Sequence, residues 1–335
     1  MNFQRQLAIT PTSLHTIAVV VMVLWLIVGI LGSTPNPFDF GHHNIVASGW
    51  WTALPAFMRT VPWVNSLMGM LTALITCYAI AELNTSQVLL RVNSRVMTIV
   101  FGALITACPF LHTFNPGMIS MLCVLLSYFA LFSSYQLENS ASHAYVAFLY
   151  FSLATLMLPK LLWLAPIYWL SMYILRSVNP RSVCASVLGL LTPYWIVGAF
   201  AYCFGKMPEM LQTLSQFYTF RWGDYSHLTP AVWVTVCLAF VMFVIGVLDF
   251  FARIYMDKNR TRNLYYVIIL HGFAYFLLLL LQPINVQVFM PLALVSTSIM
   301  AGHYVANGAT SASNILTIII SVAIIISFIL NAWIL

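Results

Sequence analysis

The sequence predicts an all-α polytopic helix bundle embedded in a membrane, with about eleven spans and the N-terminus inside. Three observations predict it. First, 62% of the 335 residues are hydrophobic and only 6% are charged, where soluble domains run at about 45–50% and about 25%. Mean hydropathy is +0.94. Second, apolar runs near 20 residues, the length that carries a helix across roughly 30 Å of hydrocarbon, recur along the chain. Third, the 13 lysines and arginines fall between these runs, because a charge at the bilayer centre costs roughly 2.5–3.5 kcal/mol.

Taken in order, the runs are 15–32, 63–82, 96–112, 117–135, 143–158, 161–175, 183–204, 230–250, 264–282, 286–303 and 314–334. The fifth and sixth meet at Pro159-Lys160, where one long broken helix would reduce the count to ten. Run 15–32 is too long for the apolar core of a signal peptide and reads as an uncleaved first span. With the N-terminus inside, the inner connections hold Arg5, Arg91, Arg95, Arg176, Arg181, Arg253, Lys258, Arg260 and Arg262. The outer ones hold Arg59, Lys160, Lys206 and Arg221, and nine bases against four fits the positive-inside rule. The inner segments read as topology anchors and anionic-lipid contacts. The longest polar connections, 33–62 and 205–229, are too short to fold alone, so residues 1–335 form a single transmembrane domain.

Several function classes drop out. The net charge of +6 sits at span ends with no basic stripe along a groove, which argues against nucleic acid. The six cysteines show no CxxC spacing and lie in or beside apolar runs, so they read as small buried hydrophobes rather than zinc ligands or disulfides. Inside the spans ionisable groups are scarce. Glu82 and Asp249 lie at inner ends, His303 ends a span, and His271 reads as a neutral histidine bonding a carbonyl across a helix interface.

The outer connections are richer. Pro35 and Pro37 break the helix after the first span, and Asp39, His42, His43 and Asn44 follow. Ser48–Thr60 has the spacing of a short interfacial helix with Trp50 and Trp51 at headgroup depth. Residues 207–218 form a second one, with Met207, Met210, Leu211, Leu214, Phe217 and Tyr218 on its apolar face. The candidate site gathers Asp39, His42, His43, His112, Asn115, Lys160, Arg221, Asp224 and His227 from four connections at one membrane level. Asp39 is the candidate base that takes a proton from an acceptor hydroxyl. Lys160, Arg221 and His112 are candidate ligands of a lipid-linked phosphate, with His42, His43, Asn115, Asp224 and His227 in support. No tightly bound metal or cofactor is expected; His42-His43 with an Asp39 oxygen could hold a divalent cation loosely.

The segment Phe38-Asp39-Phe40-Gly41-His42, soon after an N-inside first span and ahead of interfacial helices, resembles the GT-C class of membrane glycosyltransferases. The resemblance implies Asp39 as catalytic acid/base, a polyprenyl-phosphate sugar donor and transfer on the outer face of an inner membrane. The second acid common in the class is absent, since Phe40 follows Asp39. Separately, LPKLLWLAPIYWLSMYILRSVNPRSVCASVLGLLTPYW is similar to a poorly characterised family of bacterial envelope membrane proteins, which implies a setting and partners in an envelope complex. Two other readings stand beside the transferase: a non-catalytic membrane subunit or scaffold, and a lipid or glycolipid transporter.

Overall fold

The computed structural model describes residues 23, 25, 27, 61–90, 96–215, 217–218, 225, 228, 230–307 and 311–334. Among them there is no strand. The helices are α1 (Pro62–Gln87), α2 (Val96–Thr106), α3 (Pro116–Ser133), α4 (Ala141–Met157), α5 (Ala165–Ile174), α6 (Pro180–Cys203), α7 (Met207–Ser215), α8 (Pro230–Ala252), α9 (Asn259–Leu281), α10 (Val286–Asn307) and α11 (Ser311–Ile334). Six of them, α1, α3, α6, α8, α9 and α10, are long and apolar enough to cross a membrane. Of the first run only Val23, Trp25 and Ile27 are described, and they are helical.

Prolines and polar caps set the boundaries. Pro116 and Pro180 occupy first-turn positions, where the missing N–H costs nothing. Asn115 caps α3 by accepting from the Met118 amide, and Asn179 and Ser182 form a reciprocal capping box on α6. Run 96–112 is shorter as helix than its hydropathy implies. Pro109 cannot donate to the Ile105 carbonyl, so α2 stops at Thr106 and a 3-10 turn, Pro109–Leu111, completes the passage. Pro159 does the same between α4 and α5, which are two helices joined by the 3-10 turn Pro159–Leu164.

The centre of the bundle is α10. It packs against α2, α3, α8 and α9, and every residue from Val286 to Tyr304 is buried. Where lipid solvates both states, helices associate through close packing and polar contacts rather than through hydrophobic burial. Both devices are present. A Cβ on Gly246 of α8 would lie 2.6 Å from the Met300 carbonyl of α10, and one on Gly117 of α3 would lie 2.6 Å from Val288 Cα. Pro291 releases the Gln287 carbonyl from its helical bond, and that oxygen faces Gly117. Between α8 and α11, Asn331 Nδ2 donates to Thr235 Oγ1 at 2.7 Å, and Thr235 and Ser327 share a second bond at 2.8 Å.

Successive helices reverse direction, so the bundle has two ends. Arg260 donates to Gln87 at one of them (2.6 Å), tying α9 to α1. This arginine end also holds Arg176, Arg181, Arg253 and Arg262. The other, lysine end holds Lys160 and Lys206. These are the ends that the distribution of bases assigns to the inside and the outside respectively.

Candidate functional site

The candidate residues Asp39, His42, His43, Arg221, Asp224 and His227, with the expected helix Ser48–Thr60, lie outside the described residues. His112, Asn115 and Lys160 are described, and all three belong to the lysine end.

His112 follows the 3-10 turn forced by Pro109 and is buried. Its ring stacks on Trp25 of the first run, centroids 4.0 Å apart and 18° from parallel. The Trp25 indole N–H donates to the Ser66 carbonyl at 3.1 Å, and the Asn65 side chain accepts the Phe114 amide. Four chain segments are thereby locked together: the first run, the start of α1, the turn after α2 and the start of α3. Trp25 and the start of α1, which flank the connection 33–62 in sequence, both belong to this knot. Nε2 donates to the Thr106 carbonyl at 3.2 Å, and Nδ1 has no hydrogen-bond partner among the described residues. A neutral imidazole has no charge to set against a phosphate; here it packs Trp25 and satisfies a carbonyl that α2 leaves over. Asn115 spends its side chain on the Met118 amide and the Thr113 carbonyl.

Lys160 sits in the turn Pro159–Leu164 and is only 5% exposed. A buried lysine is costly unless its ammonium is matched, so the position is a built one. Ser120 donates to the Ala154 carbonyl at 3.3 Å, which sets the start of α3 beside the end of α4 and Lys160 at the same level as Asn115. Three residues on, Trp163 donates to the Phe217 carbonyl at 3.1 Å, and the two rings lie 5.2 Å apart. The segment that leads to Arg221 is therefore anchored beside Lys160. Helix α7 lies in that segment as expected, with Met210 against Gly198 of α6. Tyr225 donates to the Leu280 carbonyl at 2.8 Å and ties the far side of the connection to α9.

Two buried polar groups escaped the reading of the sequence. At the arginine end His303 lies between two acids, Nε2 being 3.4 Å from Asp257 Oδ2 and Nδ1 3.9 Å from Asp249 Oδ2. Arg253 Nε pairs with Asp249 at 2.9 Å, and its Nη1 reaches the Asn307 carbonyl at the end of α10. Asn307 Nδ2 also lies 3.0 Å from His303 Nε2. The acids approach opposite ring nitrogens, so they cannot share one ion, and no metal-holding group of three occurs among the described residues. The spacing Asp249–Arg253 and His303–Asn307, four residues each, was the available signal; Asp257 comes from a connection and gave none.

Mid-bundle, Tyr128 and Tyr275 share a hydrogen bond at 3.0 Å, and Tyr168 and Ser127 share another at 2.7 Å. His271 sits edge-on to Tyr128 and Tyr168. Its Nδ1 donates to Val267, one turn back in its own helix, at 2.9 Å, rather than across an interface. Its Nε2 has no hydrogen-bond partner among the described residues. The Thr297 hydroxyl of α10 is likewise buried without a hydrogen-bond partner there.

No protein-family model matches the chain, and a search of curated proteins finds no match.

Proposed function

We propose that the chain is an integral membrane transferase of envelope glycan assembly, which moves a sugar from a polyprenyl-phosphate donor to an acceptor hydroxyl at the outer surface of the inner membrane. The observation that supports this reading is the buried Lys160, at the same end of the bundle as the start of α1, to which the Asp39 connection leads. In the reaction, Asp39 takes the proton of the acceptor hydroxyl. The freed oxygen attacks the anomeric carbon, and the bond from that carbon to the phosphate oxygen breaks. The electron pair leaves with the polyprenyl phosphate, whose charge Lys160 and Arg221 offset. His112 and Asn115 serve by packing Trp25 of the first run and capping α3.

Membranes carrying the full chain, supplied with a polyprenyl-phosphate sugar, test it. Asp39→Asn is expected to abolish transfer and Lys160→Met to lower it by at least tenfold, with the protein level unchanged. Full transfer by the Asp39→Asn variant removes the proposal.

A second reading, transport of a lipid or glycolipid, is favoured by polar groups of α9 and α10, where His271 Nε2 and the Thr297 hydroxyl keep unmatched atoms inside the bundle. Flux of a labelled glycolipid into vesicles, unaffected by Asp39→Asn and lost on His271→Phe, would favour it over the transferase.

A further inference from the structure

The arginine end carries a cleft of about 270 Å³, just below the range of drug-sized sites. Tyr135, Gln136, Arg176, Asn259, Arg262, Asn263 and Tyr266 line it. The lining holds two guanidiniums, three side-chain amides, two phenols and no acid. Arg262 is held from behind: its Nε donates to the Asp257 carbonyl at 2.8 Å, and its guanidinium carbon lies 5.9 Å from the centre of the Tyr255 ring. Asn259, Arg262 and Asn263 belong to the first turns of the 23-residue helix α9, whose dipole favours negative charge at that point.

Arg176 is the telling residue. The end of α5 is a Schellman turn, with the Ser177 amide on the Met172 carbonyl and the Arg176 amide on the Tyr173 carbonyl, both at 3.0 Å. The residue after the cap in such a turn is left-handed and is usually glycine. Here it is Arg176, with φ of 55°. Gln136, after α3, is left-handed too at 54°, and its amide donates to the Leu175 carbonyl at 3.1 Å, which fastens the two turns together. A topology signal needs a positive charge near the membrane surface, and the next residue along would satisfy that. It does not need an arginine where glycine would hold the turn with less strain. Strained positions of this kind are kept where a side chain has a task.

We propose that this cleft binds a phosphate-bearing anion, Arg176 and Arg262 taking its oxygens from two sides and Asn259 and Asn263 donating from the start of α9. The two sources of that chemistry are the headgroup of an anionic lipid and a soluble phosphate. The inference is independent of the sugar-transfer proposal, which concerns the opposite end.

Substitution of Arg176 by glycine separates binding from folding, because glycine suits the turn. The full chain, purified in mild detergent, is offered phosphatidic acid or phosphatidylcholine, and retained lipid is read by native mass spectrometry. Inorganic phosphate is titrated in parallel, with thermal unfolding as the readout. Wild type is expected to retain phosphatidic acid over phosphatidylcholine at least tenfold, or to be stabilised by phosphate alone; the first result assigns a lipid headgroup and the second a soluble ligand. Arg176→Gly and Arg176→Asn are expected to lose that preference while unfolding at or above the wild-type temperature. A wild type indifferent to both probes overturns the proposal, and so does an Arg176→Gly variant that binds as wild type does.

Discussion

Helices α6 and α10 have nearly the same length and a similar apolar character, yet 94% of the most apolar stretch of α10 is buried and only 17% of that of α6. In water the more apolar of the two, α6, would be the more buried; in lipid it need not be, because the surroundings are as greasy as the core. What separates the two is the number of sides that carry small and polar contacts: α10 packs against α2, α3, α8 and α9, whereas α6 packs mainly against α4, where a Cβ on Gly189 would run into the Tyr145 carbonyl. Helix α10 carries Ser296, Thr297, Ser298, Gly302 and His303 among its apolar residues, and its neighbours press glycines against it. Helix α6 turns Leu188, Leu191, Trp195 and Phe200 outward and is held on its inner side by polar handles. Tyr194 donates to Thr155 at 2.7 Å, and Trp169 donates to Ser186 at 3.0 Å. Burial in this protein is set by where polar and small groups meet.

The contrast can be broken most severely at Gly246. Overpacking costs about 1–3 kcal/mol where neighbours can shift, but the neighbour here is the α10 backbone. Gly246→Leu is expected to eliminate the monodisperse peak in size-exclusion chromatography; a normal peak would mean that α8 and α10 are not in close contact. Next in size is the cluster around His303. Removing one partner of a buried hydrogen-bonded set leaves the others unmatched and costs about 1–3 kcal/mol. His303→Leu should therefore lower the unfolding temperature sharply, and adding Asp257→Asn should cost less than the two single changes summed. Strict additivity would show that the ring and the acid are not coupled.

A smaller effect is expected at His112. Its ring stacks on Trp25 and bonds the Thr106 carbonyl. His112→Ala, which loses both contacts, should cost about 1–3 kcal/mol in an unfolding measurement, and His112→Phe, which keeps a ring against Trp25, should cost less; equal losses would contradict the stacking. Smallest of all, Leu188→Ala on the outward face of α6 should stay within about 0.5 kcal/mol of wild type. A loss of several degrees there would indicate a protein partner rather than lipid on that face.

Periodic apolar runs, proline positions and the uneven bases were enough to read the helix order from α1 onward, including the two helices that meet at Pro159, and most boundaries to within one turn or so. They failed at α2, where a proline inside a hydropathic run ends the helix without lowering the average. The candidate site was legible only as a list of side chains sharing one end. That His112 would be a neutral packing group stacked on Trp25 depended on a contact 87 residues away in sequence. That Asp257 would reach His303 depended on how α8, α9 and α10 cross.

By itself, the chain's composition determined that its solvent is lipid and that its backbone must close on itself as helices, since no other element satisfies its hydrogen bonds there. Which helix became the core, which histidines were buried and which arginine took a left-handed turn were decided by tertiary structure alone. Hydropathy reports the cost of leaving water and is blind to the choice between two apolar neighbours; that choice is made by shape and by pairing of the few polar groups.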